Sequence, residues 1–147
     1  MEASMQFTKA EEYGVHGVIY LAEKDRNVVT PLSEISEAQG IPEKFLAKIF
    51  QSLSKAGIVR SHRGVRGGFT LAREPKDITV KEVLETIQGP YHLMKDGGPM
   101  RVMHRHEDGF CALRELIKIA EERLVSVFEQ HTLADLMRWQ ETKRRPA

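Results

Sequence analysis

Along most of this chain apolar residues return with helical spacing, and one short stretch changes to the spacing of strands. Thr8 with Glu11 three residues on predicts a capping box, opening a helix through about Lys24 with Tyr13, Gly17 and Leu21 on its inner row. Thr30-Pro31 reads as an N-cap and first-turn proline, and Gly40 ends the short helix that follows. The next helix begins near Pro42, buries Phe45, Leu46, Ile49, Phe50 and Leu53, and stops at Gly57. Two short helices across a tight glycine connection predict a helix-turn-helix. Residues 58–62 and 69–71 are β-prone and flank the glycine-rich tip 64–68, so a hairpin follows directly. Together these elements predict a winged helix.

A second capping box, Thr79 with Glu82, opens a helix that ends at Gln88-Gly89-Pro90. Residues 91–109 have no periodicity and are expected to be a long loop. From 110 to 130 Leu113, Leu116, Ile117, Ala120, Leu124, Val127 and Phe128 form a stripe expected to be buried. Thr132 caps a last short helix through Trp139, and Lys143-Arg144-Arg145 is expected to be a frayed basic tail. The expected fold is mostly α, a winged helix-turn-helix with a two-stranded β wing and a long C-terminal dimerisation helix. Its parts divide as a DNA-binding unit over 1–89, a loop over 90–110, the long and short helices over 111–141, and a tail over 142–147.

Composition adds limits rather than detail. With 147 residues, 41% apolar and 29% charged, the chain has the make-up of one soluble domain. No apolar run approaches the roughly 18 residues of a membrane span, and residues 1–8 lack a signal-peptide core. A single cysteine, Cys111, excludes an internal disulfide framework and points to a reducing, cytoplasmic setting.

Charge changes the picture more. The total is +1, yet residues 42–73 hold seven cations against the single acid Glu43, a net of +6 that leaves −5 for the remainder. A concentrated positive stretch on a helix and wing is the footprint of a nucleic-acid surface. The outward positions Lys48 and Gln51 suit base edges, and Lys44 suits a base or a phosphate. Arg60, His62, Arg63 and Arg66 place further donors on the wing for phosphate or minor-groove contact. The long helix would span roughly 30 Å, more than a winged helix needs internally, so pairing with a second copy is expected. A two-fold dimer presents two such helices to half-sites about one turn apart on palindromic double-stranded DNA.

The run Ser61-His62-Arg63-Gly64-Val65-Arg66-Gly67-Gly68-Phe69-Thr70-Leu71-Ala72 resembles the wing of the bacterial regulator family that includes IscR, NsrR, RirA and CymR. Cys111 before its long helix and the Thr132-Leu133-Ala134-Asp135-Leu136 ending are similar too, and the likeness runs from about Phe7 to Leu136. It implies a dimeric winged-helix transcription factor, usually a repressor, with a sensor loop before the dimerisation helix. Many members hold an iron–sulfur cluster there through three cysteines. This chain departs, because only Cys111 is present.

Glu12 and His16 match the family positions that complete a cluster from the partner's first helix, and their i, i+4 spacing shares a face. His104 and His106 lie near the middle cysteine's place, with His92 in reserve. The resemblance thus implies a mixed site of Cys111 and His104 or His106 with Glu12 and His16 of the partner subunit. It would hold a 2Fe-2S cluster or a single iron or zinc ion. The alternative is a metal-free regulator, responding through a partner protein or through oxidation of Cys111 at a helix N-terminus. A protein-interaction module without DNA is a further reading. An enzyme with Cys111 as nucleophile is disfavoured, because no oxyanion-type glycine motif or third catalytic member accompanies it.

Overall fold

A computed structural model of the chain describes residues 7–93 and 112–144. Its elements are α1 (Lys9–Ala22), α2 (Leu32–Gln39), α3 (Glu43–Lys55), β1 (Val59–His62), β2 (Gly68–Leu71), α4 (Val80–Gln88), α5 (Ala112–Gln130) and α6 (Leu133–Arg144). A single 3-10 turn, Pro75–Asp77, precedes α4. This is a winged helix-turn-helix, as the hydrophobic pattern predicts.

Both capping boxes form. Thr8 accepts from the Glu11 amide while the Glu11 carboxylate accepts from the Thr8 amide, and Thr79 and Glu82 repeat the arrangement on α4. Gly40 ends α2 in the left-handed conformation, giving the sharp turn into α3. The core lies between α1, α2, α3 and the wing, with Val18, Ile35, Leu46, Phe50, Leu53 and Ile58 all but sealed from solvent. Helix α1 sits very close to α3: a Cβ on Gly17 would lie 2.9 Å from the Phe50 ring, inside any real contact distance. Only glycine permits that approach.

Strands β1 and β2 pair antiparallel, with Val59 opposite Leu71 and His62 opposite Gly68. Four sequence expectations are corrected around this frame. Thr30 does not cap α2; Pro31 takes that position, and the Thr30 backbone is claimed by β2, donating to Phe69 O at 3.0 Å and accepting from Phe69 N at 2.9 Å. Phe45 is 45% exposed rather than in the core, its ring set edge-on against Tyr13 at 5.6 Å. The stripe on α5 contains no buried residue: Leu113, Leu116 and Val127 are exposed, and Ile117, Leu124 and Phe128 are half-buried. Helix α6 continues past Trp139 to Arg144, so Lys143 and Arg144 belong to its last turn. Cations there face the negative end of the helix dipole, which favours the extra turn over fraying.

The end of α5 is pinned to the body. Val80 N donates to His131 O at 2.8 Å and Leu133 N to Ile78 O at 3.0 Å, and Leu133 is fully buried. The N-terminal half of α5, Ala112 to Ala120, is exposed at every position but Ile117.

Candidate nucleic-acid interface

Helix α3 has two distinct faces because its apolar residues recur at three and four. Leu46, Ile49, Phe50 and Leu53 point inward, leaving Lys44, Ala47, Lys48, Gln51 and Lys55 exposed along the outer side. The wing is anchored against the same helix, with the Phe69 ring edge-on to Phe50 at 5.0 Å. At its tip Arg63 and Arg66 are exposed around a fully exposed Val65. Lys44, Lys48, Gln51, Arg60, Arg63 and Arg66 make no side-chain hydrogen bond or ion pair among the described residues. Their donors remain available to a ligand.

Arg73 shows the contrast. It belongs to the basic segment, but its guanidinium donates to Glu82 at 2.7 and 3.3 Å and to Asp77 O at 3.0 Å. The pairing raises the Arg73 pKa and holds the Glu82 carboxyl below its usual range. Arg73 therefore fastens α4 to the wing base. Charge counting along the sequence could not separate it from its neighbours.

The wing also divides its cations between its tip and one face. Strand alternation turns Arg60 and His62 into a groove of about 350 Å³ with Arg26, Asn27 and Thr70. There His62 Nε2 lies 3.0 Å from Thr70 Oγ1. Phe69, on the other face, packs toward α3. Arg26 and Asn27 come from the α1–α2 connection, where no sequence periodicity marks them. Arg26 is also ion-paired with Glu74.

A second concave site, about 330 Å³, opens between α1, α4 and α5. Phe7, Val15, Leu84 and Phe128 wall it, and Glu11, Glu12 and His16 supply its polar groups. Glu12 and His16 are thus brought together, both exposed. Cys111, His104 and His106 lie outside the described residues, while His92 is exposed with Nδ1 3.5 Å from Glu121 Oε1. Among the described residues no three His, Cys, Asp or Glu side chains gather as metal ligands would. Among them, too, no helix is long and apolar enough to cross a membrane.

The family profile described as Rrf2, iron-dependent transcriptional regulator, matches residues 7–139. An HTH-type transcriptional regulator named in Mycobacterium tuberculosis is 33% identical over 132 residues, covering 90% of this chain and 81% of the relative. CymR, the global cysteine regulator of B. subtilis, superposes with a TM-score of 0.76 at 28% identity, over 92% of this chain and 98% of its own. IscR of T. potens gives 0.76 at 26% identity, over 97% and 93%. These relatives regulate transcription and are not enzymes. The iron in the family description meets a donor set here with one thiol in the whole chain, which does not fit a cluster held by three cysteines.

Proposed function

The chain belongs to the Rrf2 family of DNA-binding transcriptional regulators, and from that premise we propose that it is a homodimeric repressor on a palindromic operator. The observation that carries this reading is the set of unpaired donors on one helix and one wing. Among the described residues Lys44, Lys48, Arg63 and Arg66 are exposed without side-chain partners, whereas Arg73 beside them is spent on Glu82.

In the complex, α3 lies in the major groove. Lys48 and Gln51 meet base edges, and Lys44 meets a base or the flanking phosphate. Arg63 and Arg66 carry the wing tip onto the adjacent backbone or minor groove, and Arg60 and His62 contribute from the groove at the wing's other face. The second copy joins through the exposed apolar side of α5. Leu113, Leu116 and Val127 there are exposed among the described residues, and burying such residues drives association.

Salt titration of a mobility shift on promoter DNA tests the interface. With about four phosphates neutralised per protomer, log K should fall with log salt at a slope of about −7. Affinity independent of salt overturns the electrostatic interface. Control of the repressor belongs to the segment around Cys111, His104 and His106, acting with Glu12 and His16 of a second copy. A single iron or zinc ion, or oxidation of Cys111, suits one thiol among imidazoles and carboxylates. DNA binding compared with and without oxygen, with metal content measured on the same samples, separates these two triggers.

A further inference from the structure

Among the described residues Val65 is the large apolar side chain with the least cover: it is fully exposed, and the next, Leu116, reaches 61%. The turn that carries it is fixed. Gly67 N donates to Gly64 O at 2.9 Å, so residues 64–67 form a tight turn with Val65 and Arg66 at its two corners. Gly64 has a φ of +112°, a backbone that favours glycine, and a Cβ on Gly67 would lie 2.6 Å from His62 O. Turn corners ordinarily carry Pro, Asn, Asp, Ser or Gly, and a β-branched apolar residue adds nothing to the turn. Val65 therefore serves neither the turn nor the core.

The shape of the tip says what it can meet. Three of the five residues 64–68 are glycine, so the end of the wing is bare backbone apart from Val65 and Arg66. Such an edge fits a groove about 6 Å wide, the width of the DNA minor groove. Arg63 and Arg66 bracket Val65 in sequence and are exposed, so the apolar contact is flanked by charge that suits phosphate-lined rims. We propose that Val65 is a specificity-determining residue, seated on the floor of the minor groove beside each half-site and favouring A·T over G·C pairs there. This rests on the reading that α3 and the wing bind duplex DNA. At a G·C pair the guanine 2-amino group stands on that floor. Valine would take its space and offer its N–H no acceptor. At A·T pairs the floor is clear, and the narrower, more negative groove draws in the two arginines.

The test uses the full chain and a site that it selects from a random duplex pool. The base pairs flanking each half-site are then set to A·T, G·C or inosine·cytosine, which keeps the major-groove face of G·C but lacks the 2-amino group. Fluorescence anisotropy gives the affinity for each duplex. G·C flanks should weaken wild type about tenfold, and inosine·cytosine should bring it back to within about threefold of A·T. Val65→Ser should weaken the A·T duplex about tenfold and level the three affinities, with the unfolding midpoint unchanged. Val65→Ile should keep the preference, and Lys48→Ala should weaken all three duplexes alike. Inosine·cytosine flanks that bind as weakly as G·C overturn the proposal. So does a Val65→Ser chain with wild-type affinities, or one weakened equally on every duplex. Loss of self-association in Val65→Ser also overturns it, since the tip would then belong to a second copy. Each of these leaves the DNA-binding reading standing, whereas a wild-type chain that selects no duplex overturns both.

Discussion

Helices α3 and α5 look alike as patterns and differ as structures. Each carries apolar residues at three- and four-residue intervals. Yet α3 buries Leu46, Ile49, Phe50 and Leu53 within its own chain, and the longer α5 buries none. Periodicity says that a face needs cover; it does not say whose atoms supply it. The same lesson holds for charge, since Lys48 and Arg73 contribute equally to the basic segment but, among the described residues, only Arg73 has a side-chain partner.

The largest expected effect lies on the covered helix. Phe50→Ala should cost about 3–5 kcal/mol of folding stability, read from denaturant unfolding, and the loss should not depend on protein concentration. The uncovered helix should behave in the opposite way. Leu116→Glu should leave the protomer folded by circular dichroism but weaken self-association tenfold or more, since a buried Leu is worth about 1.5–3 kcal/mol. Sedimentation across a dilution series decides this. A wild-type chain that is monomeric throughout would erase the contrast between the two helices.

The comparison between cations is sharpened by a smaller change. Lys48→Ala should lower DNA affinity and reduce the salt slope by about 1 per site contacted. Arg73→Gln should lower thermal stability with the slope unchanged. Smallest of all is the acid response of the Glu82 pair. Because Arg73 holds the folded-state pKa of Glu82 down, the stabilisation is complete above the ordinary carboxylate value and lost as pH falls through the depressed one. Both side chains are more than a third exposed, so the effect should stay below about 1 kcal/mol. Unfolding of Glu82→Gln and wild type, compared at neutral pH and in acid, should converge on the acid side.

The elements set by local chemistry were legible in advance. Thr8–Glu11 and Thr79–Glu82 name their own helix starts, and the period change after Gly57 marks the wing. What was not legible depends on partners distant in sequence. Thr30 looks like a cap until Phe69 takes its backbone, and Phe45 looks like core until Tyr13 holds it at the edge. Likewise the sequence marks Glu11 as half of a capping box, and only the folded packing shows that this carboxylate is buried. Of the cations in the basic segment, Lys44, Lys48, Arg63 and Arg66 stand exposed on the helix and the wing tip, where the sequence places them. That Arg60 and His62 share one wing face is visible only from the hairpin register.

The paired hydrogen bonds between Thr30 and Phe69 make the wing a cantilever. Its root is clamped from both sides, by β1 and by the strand-like residue before α2, while Arg63 and Arg66 ride at the unsupported end. Swinging motions at the root are suppressed, so the arginines sweep a small arc. Reaching a groove then sacrifices the freedom of a few tip residues rather than that of a whole hairpin.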